Sequence, residues 1–524
     1  MRKLSTLFCA VLMTLSAMAT DYKGNLTVSI NGEGSTQPAT ISIVENAGKY
    51  NLSILNFMLG EGESVLPVGN IVIENVTGAV AGNLTTLYVN KNITIQKGNA
   101  AGIADDAWLG PMLGEVPVKM SSSFNTNGFL GVNIDIDMVS TLGQVIKVTF
   151  ENVGNHFQMP NSDFETWSNE NNAPKHWHGF ESVKGKLSGT AKSKTKLVSS
   201  KNVRPGSKGL TSAVVTSTKV FTVIANGTMT NGVLNAGSMS AADASNHSET
   251  DLSSTSKDAN GDPFATPMYA KPDSVKFWMR FTQAKAQASY PYAAFNAVIT
   301  DGTYYQDPEN KTYTNKVAVA APNKADMTVG DWRLVSCPFD YASYAANGAE
   351  AKAILLTVST NATPGKGSYS NGVADSVYVD DLELVYLADI KSVSFKGATL
   401  DLTNTDIDIA DDDVISASDF VVEKIGEDAK VTTLVEANAK GYQAVISVVS
   451  GDLNTQKTLV FNFNKPVWAD GDVNHDGVVD LADVTLLINK VLGADATQLY
   501  NPDVNADGKV DVADVTTLVS LILG

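Results

Sequence analysis

The stretch DVNHDGVVDLAD at residues 472–483 recurs 31 residues later, at 503–514, as DVNADGKVDVAD. The two copies align without a gap, with side-chain oxygens at positions 1, 3, 5, 9 and 12 and glycine at position 6. Calcium takes roughly six to eight oxygen ligands, and glycine permits the sharp turn that brings alternate side chains inward. Position 7 can add its backbone carbonyl, so the pattern predicts one Ca²⁺ ion in each loop. The expected ligands are Asp472, Asn474, Asp476, Val478, Asp480 and Asp483 in the first loop, and Asp503, Asn505, Asp507, Lys509, Asp511 and Asp514 in the second.

The flanking sequence predicts a helix after each loop and none before the first. Residues 461–466 alternate apolar and polar side chains and include Pro466, which is typical of a strand rather than a helix. Residues 484–492 and 515–523 are apolar at helical spacing. Two loop–helix units with Asp at position 12 resemble a type I dockerin, here residues 467–524.

The dockerin resemblance implies a cohesin-like protein or another docking partner, bound through loop positions 10 and 11. Here these positions are Leu481, Ala482, Val512 and Ala513. The Ser–Thr pairs typical of cellulosomal dockerins are absent, so a different cohesin-like partner stays open. A calcium-stapled domain without any partner is the other alternative.

Length and charge limit the classes of function outside this region. A chain of 524 residues with 43% hydrophobic residues predicts several domains, each with its own core. The net charge of −18 argues against nucleic acid as a partner, because such proteins need a basic face. Residues 470–524 contain ten Asp and two Lys, a local excess of acid that calcium would neutralise.

The N-terminus predicts a signal peptide over residues 1–19. Arg2 and Lys3 precede an apolar run at 7–15, and Ala17-Met18-Ala19 has the small-x-small cleavage pattern. That run is too short to span a bilayer, and no other stretch predicts a transmembrane segment. We therefore expect export, with the protein secreted or associated with the cell surface of a Gram-negative bacterium.

Residues 20–153 predict eight short strands separated by turns. Val132, Ile134 and Ile136 alternate with polar residues, as in a half-buried strand, and eight such strands suit a closed barrel. The stretches NFMLG (56–60), LPVGNI (66–71) and WLGPMLG (108–114) resemble the calycin-like, lipocalin-type domain of secreted proteins from gut bacteria. That resemblance implies a barrel able to hold a small apolar ligand, and a barrel filled by its own side chains is the alternative.

Residues 156–388 predict a β-sandwich of the jelly-roll type. The segments NSDFETW (161–167) and DSVYVDDLEL (375–384) resemble the two ends of a family provisionally named as a carbohydrate-metabolism domain. That family is similar in outline to carbohydrate-binding jelly rolls, in which acids of the first and last strands share a structural calcium ion. Glu165, Asp380 and Asp381 are the candidates for this third ion. Residues 389–466 predict a small immunoglobulin-like β spacer.

A glycan-binding surface is predicted from one strand of the jelly roll and from nearby tyrosines. In the strand at 274–281, Trp278 and Arg280 lie on the polar face, where an indole could stack on a sugar ring and a guanidinium could bind its hydroxyls. The full candidate set is Trp278, Arg280, Tyr290, Tyr292, Tyr304 and Tyr305.

The sequence favours a protein without catalytic activity. No nucleophile, base and orienting residue occur in a known motif, and His176 and His178 are expected to be partly exposed strand residues rather than a metal pair. Two alternatives remain: a polysaccharide-degrading O-glycosyl hydrolase that carries a dockerin, and a lipocalin-like carrier of small ligands. The predicted fold class is a mainly β multidomain protein, with a lipocalin-like barrel, a jelly roll, an immunoglobulin-like unit and a small α-helical calcium module.

Overall fold

The computed structural model of the chain describes residues 19–60, 65–152, 157–168, 172–194, 197–494 and 499–524. Residues 1–18 of the predicted signal peptide lie outside this part, so that feature stays a prediction. Among the described residues, no helix is long and apolar enough to cross a membrane.

Residues 19–152 form a closed eight-stranded antiparallel barrel in sequential order, as predicted. Strand β1 pairs with both β2 and β8, which closes the sheet and leaves no free edge. The strands are β1 (Ala19–Ile30), β2 (Glu33–Asn46), β3 (Lys49–Leu59), β4 (Leu66–Ala81), β5 (Leu84–Thr94), β6 (Glu115–Asn125), β7 (Leu130–Met138) and β8 (Gln144–Asn152), with one helical turn, α1 (Val139–Leu142), before β8.

The barrel interior is filled by apolar side chains. Alternate residues of β1, including Tyr22, Leu26 and Val28, are buried, while those between them are exposed or partly exposed. Glycine is required at position 24, because a Cβ atom there would lie 2.0 Å from the carbonyl oxygen of Glu151 on β8. The interior side chains form one continuous cluster, which supplies the hydrophobic stabilisation of this domain.

The next region is a β-sandwich built from two larger sheets. One has the order β21-β17-β25-β10-β9, and the other has the order β13-β22-β18-β20 with β16 paired to β22. Strands β14, β15 and β19 form a third sheet. The strands are β9 (Leu197–Ser200), β10 (Ser212–Thr216), β11 (Thr218–Val220), β12 (Val223–Ala225), β13 (Thr228–Thr230), β14 (Val233–Ala236), β15 (Asn246–Thr250), β16 (Thr266–Pro267), β17 (Ser274–Thr282), β18 (Ala294–Thr300), β19 (Tyr305–Asp307), β20 (Lys316–Ala320), β21 (Gly330–Pro338), β22 (Ala353–Ser359), β23 (Tyr369–Ser370), β24 (Val373–Ala374) and β25 (Ser376–Val385), with helix α2 at Ser188–Lys192.

The core of the sandwich lies between its two larger sheets. Phe277 of β17 and Phe295 of β18 stack with ring centroids 4.1 Å apart and an interplanar angle of 15°. The alternation predicted for β17 is confirmed, since Val275, Phe277, Met279 and Phe281 are fully buried. The residues between them face outward, and this leaves the outer face of β17 available for other contacts.

The chain divides into two compact units, and the division runs through the region after the sandwich. The first unit contains the barrel and the sandwich together with residues 422–432 and 447–458, and the second contains residues 393–421, 433–446 and 459–524. Two small sheets, with orders β27-β26-β29 and β28-β32-β31-β30, follow the sandwich in sequence. Their strands are β26 (Asp389–Phe395), β27 (Ala398–Thr399), β28 (Asp406–Asp408), β29 (Phe420–Ile425), β30 (Lys430–Asn438), β31 (Gly441–Val449) and β32 (Gln456–Asn464).

The C-terminal region contains two helices, α3 (Leu481–Val491) and α4 (Val512–Leu523). They pack through the buried side chains of Val484, Leu487 and Leu518. Both helices begin directly after an N-cap aspartate, Asp480 or Asp511, which accepts a hydrogen bond from the backbone N–H two residues on. Residues 456–464 form strand β32, so no helix precedes the first loop, as expected.

Candidate calcium loops and docking surface

The carboxylate at position 12 of each loop is buried and held by the loop backbone. Asp483 Oδ1 accepts a hydrogen bond from the N–H of Asn474 at 3.1 Å, and its Oδ2 accepts one from the N–H of Asp480 at 2.9 Å. The equivalent bonds to Asp514 measure 3.1 and 2.8 Å. The N–H of Asp511 also holds the pKa of Asp514 below its ordinary value. Each position-12 aspartate therefore closes its loop and caps the following helix.

The carboxylate at position 1 organises the tip of each loop. Asp472 Oδ1 accepts from the N–H of Asp476 at 3.2 Å, and its Oδ2 accepts from the N–H of Gly477 at 3.0 Å. In the second loop, Asp503 accepts from the corresponding N–H groups at 3.1 and 2.8 Å. The two loops thus have the same internal hydrogen bonding, so their sequence repeat is also a structural repeat.

The charge of the loops fits a bound cation. Asp472, Asp483 and Asp514 are buried. In the part of the chain that the structure describes, no lysine or arginine forms an ion pair with a loop carboxylate. Buried carboxylates need a countercharge, and the donor set of carboxylates, amides and carbonyls is the one that calcium prefers. The residues predicted from the sequence therefore fit Ca²⁺.

The carboxylates do not converge on one point in this conformation. Within the described ranges, no group of three or more His, Cys, Asp or Glu side chains is arranged to hold a metal ion. In the first loop, Asp476 accepts a hydrogen bond from Asn474 Nδ2 at 2.8 Å, so the side chains at positions 3 and 5 are neighbours.

The predicted docking residues are on the surface. Leu481 is 74% exposed and Val512 is 66% exposed, and Ala482 and Ala513 are also exposed. All four lie in the first turns of α3 and α4, directly after the loops. The structure thus presents two equivalent apolar patches, one per loop, whose position depends on the loop backbone.

Sequence reasoning did not single out one aromatic contact in the first loop. His475 at position 4 stacks between Trp468, at 4.5 Å and 17°, and Tyr500, at 3.9 Å and 12°. The second loop has Ala506 at this position, with a similar positive φ. The difference between His475 and Ala506 in two otherwise similar loops was the signal that could have revealed this stack. It gives the first loop a rigid support that the second loop lacks.

The three acids of the candidate jelly-roll calcium site are bound by protein groups. Glu165 Oε1 accepts from the N–H groups of Leu210 and Thr211 at 2.9 and 2.8 Å. Asp380 is fully buried and accepts from the N–H of Arg204 at 3.1 Å, and burial raises its pKa to about 6. The Arg204 side chain forms an ion pair with Asp381. The segment 204–211 therefore contacts all three acids, and none of them is left without a protein partner.

The candidate glycan-binding residues separate into different places. Trp278 and Arg280 share the outer face of β17, where Arg204 lies 5.2 Å from the indole and Arg280 lies 5.5 Å from the ring of Tyr378. Trp332 packs edge-on against Tyr378, with 6.2 Å between centroids. We call Trp278, Arg280, Trp332 and Tyr378 the aromatic–arginine face.

The four tyrosines belong to two segments outside strand β17. Tyr290 and Tyr292 are in the connection between β17 and β18, where Lys366 and Lys324 approach their rings. Tyr304 and Tyr305 are at β19, on the third sheet. Tyr305 is buried and its hydroxyl donates to Glu309 at 3.2 Å. Burial removes Tyr305 from any exposed binding surface, and the glycan-binding role of the other five residues stays a prediction.

The expectation of partly exposed histidines is wrong for His178. This side chain is fully buried, and burial lowers its pKa to about 4. Its Nδ1 lies 2.9 Å from the carbonyl oxygen of Gly232, and its Nε2 lies 3.6 Å from Asp258. The covering segment around residue 258 is distant in sequence, which is why local alternation did not reveal the burial.

Together, the barrel, the sandwich and the paired acidic loops define a multidomain β protein with a C-terminal loop–helix module. In comparisons with known families, residues 18–153 match the calycin-like beta-barrel domain and residues 470–523 match the dockerin type I domain. The chain therefore contains both of these domains, and calcium binding follows from the second. Dockerin domains bind cohesin partners.

Comparison with individual proteins adds little. No match was found among curated proteins. One similar solved structure is a Bacteroides fragilis NCTC 9343 protein, provisionally described as an outer membrane protein. It is 10% identical, with 65% of this chain and 96% of that chain covered and a TM-score of 0.18, so it carries no argument about fold or function.

Proposed function

We propose that this chain is an exported, non-catalytic attachment protein that docks to a cohesin-like partner in a calcium-dependent manner. The observation that carries the proposal is the repeated geometry of the loops. In each loop, an exposed apolar residue lies two positions before the buried position-12 carboxylate. Leu481 precedes Asp483 in the first loop, and Val512 precedes Asp514 in the second. An ion that fixes the loop therefore also fixes the surface that would bind the partner.

Docking can be tested with the full chain and purified cohesin modules, in calcium and after chelation. We expect calcium-dependent binding that is lost when Leu481 and Val512 are both replaced by aspartate, because an interface core does not accept unpaired charge. Leu492→Asp is the matched control, since Leu492 is 77% exposed but lies outside loop positions 10 and 11. Equal binding of cohesin with and without calcium, or binding that is retained in the double variant, would contradict the proposal.

We further propose that the sandwich recognises carbohydrate through the aromatic–arginine face. This face places aromatic rings beside guanidinium groups, which can donate to sugar hydroxyls. A glycan array probed with the full chain tests this, with Trp278→Ala as the variant and Val80→Ala, at an exposed position of the barrel, as the control. Absence of binding to any glycan, or equal loss in both variants, would argue against the face.

The packing of the sandwich and of the barrel supports a binding role over the two alternatives. A glycosidase would need Glu165 and an aspartate on opposite sides of an open cleft. Here Asp380 is buried and Asp381 is ion-paired with Arg204. A lipocalin-like carrier would need space inside the barrel, and the continuous apolar cluster of interior side chains favours a structural barrel filled by its own residues. Hydrolysis of a polysaccharide that is lost in Glu165→Gln would overturn the conclusion that the sandwich is not a glycosidase.

A further inference from the structure

A cavity of about 470 Å³ lies on one outer face of the sandwich, away from the aromatic–arginine face. Its floor is formed by β13, β22 and β18, which pair in that order. The floor side chains are those that alternate with the buried core residues of these strands. They are Thr228, Ala294, Asn296, Thr357 and Ser359.

The walls come from four separate parts of the sandwich. Strands β14, β15 and β19 form one side, and helix α2, the β11–β12 hairpin and residues 361–365 form the others. Most of the wall side chains are apolar. The larger ones are Phe180, Leu187, Val220, Val223, Leu234 and Met239.

The cavity offers no countercharge for an ion. Among the described residues that line it, only Asp307 and His247 are ionisable. Asp307 accepts from Asn296 Nδ2 at 3.1 Å, and burial raises its pKa, which disfavours a charged carboxylate. His247 is held by the carbonyl of Ala244 at 2.9 Å and by Glu249 at 3.0 Å. An uncharged ligand is therefore the better fit.

Three lining side chains have a buried polar atom with no hydrogen-bond partner. These atoms are Ser248 Oγ, Thr357 Oγ1 and Asn226 Oδ1. Ser248 is only 2% exposed. Because these oxygens have almost no accessible surface, a ligand in the cavity does not reach them, and the polar groups it meets belong to other atoms of the lining.

The β11–β12 hairpin adds a strained feature beside the cavity. Phe221 is at its tip with φ of 54°, in the left-handed region that a bulky residue rarely adopts. It is 74% exposed, although the neighbouring Val220 lines the cavity. Strain of this kind is concentrated at ligand-binding and switch regions.

We propose that this cavity binds an uncharged, largely apolar small molecule. The volume lies within the roughly 300–1,000 Å³ usual for small-molecule sites. The apolar walls match the body of such a ligand, and the described residues of the lining include no free charged group that would select an ion. A sugar fits less well, because Phe180 is the one aromatic ring among the described lining residues and most lining groups offer no partner for hydroxyls. This site is independent of calcium-dependent docking.

The test uses the full chain and the neutral fluorescent probe N-phenyl-1-naphthylamine, displaced by linear primary alcohols of increasing length. We expect saturable probe binding, with each added methylene of the alcohol tightening displacement by about threefold to fourfold until the cavity is full. Absence of saturable binding overturns the proposal. Displacement by monosaccharides but not by alcohols also overturns it, and assigns the cavity to sugar.

Two variants locate the binding. Ala294→Phe places a ring on the cavity floor and should weaken the probe at least tenfold, while Ala345→Phe, at an exposed position outside the lining, should not. Val223→Ala removes apolar surface from the wall without adding bulk and should weaken both the probe and the alcohols by about threefold. Unchanged binding in both Ala294→Phe and Val223→Ala would refute the site, and the conservative Val223 variant keeps the test valid if Ala294→Phe misfolds.

Discussion

Replacing Asp483 by asparagine perturbs the first calcium loop with little change in side-chain size. Asp483 is fully buried, and its two oxygens accept hydrogen bonds from the backbone N–H groups of Asn474 and Asp480 at 3.1 and 2.9 Å. An asparagine has one acceptor oxygen, so one of these N–H groups loses its partner. Because a hydrogen bond to a charged group contributes about 1.5–3 kcal/mol, the calcium-free module should lose about 2 kcal/mol in free energy of unfolding.

The substitution should weaken calcium binding more than it lowers the stability of the calcium-free module, because it also removes a negative charge. Two unit charges 4 Å apart at an effective dielectric constant of about 20 attract by about 4 kcal/mol, and dehydration of the ion offsets part of this. We therefore expect the dissociation constant of the first loop to rise by about 100-fold, which corresponds to about 2.7 kcal/mol.

Isothermal titration of calcium into the full chain measures this effect. The native chain should bind two ions, and Asp483→Asn should keep only the high-affinity site of the second loop. Asp419→Asn is the matched control, since Asp419 accepts from the N–H of Ser416 at 2.8 Å in an equivalent capping box outside the calcium loops. Its calcium isotherm should be unchanged. Two sites of native affinity in Asp483→Asn would refute the assignment of this carboxylate.

Three further predictions concern the sandwich and the barrel. Burial raises the pKa of Asp380 from 3.8 to about 6, so the native state holds this proton more tightly than the unfolded chain. The associated stability is present below about pH 4 and is lost as the pH rises through 6. Relative to Asp380→Asn, the free energy of unfolding of the native protein in urea should therefore fall by about 2.4 kcal/mol between pH 4 and pH 7. An equal difference at both pH values would contradict this. Gly24→Ala should destabilise the barrel by about 3 kcal/mol in thermal unfolding, whereas Gly34→Ala, whose added Cβ would meet its neighbours no closer than 3.7 Å, should have little effect. Phe277→Ala should lower the free energy of unfolding in urea by about 3–5 kcal/mol, because it removes a buried ring stacked on Phe295. A decrease of less than about 1 kcal/mol would contradict this packing.

Local patterns in the sequence were sufficient for the barrel and the calcium loops. A strand with one buried face must alternate with period two, and this is visible in the printed sequence at Ile134 and Ile136. A calcium loop takes its ligands from a dozen consecutive residues, so the spacing from Asp472 to Asp483 already contains most of the site. Even the helix starts could have been predicted, since Asp480 and Asp483 form a capping box three residues apart.

The features that depend on distant segments were decided by the tertiary structure. The alternation placed Trp278 on an outer face, but only the fold shows that Arg204 lies over its indole. Likewise, His178 is buried next to Asp258, far along the chain.

The sequence by itself determined the strands of the barrel and the loop–helix repeat, and it predicted the calcium ligands, because each of these depends on residues that are close along the chain. The cavity above β13, β22 and β18 was decided by the tertiary structure alone. Its lining residues Asn226, Asn246 and Thr357 come from separate segments, which only long-range packing brings to one place. No local period or spacing records which segments meet, so no reading of the sequence alone could have located that cavity.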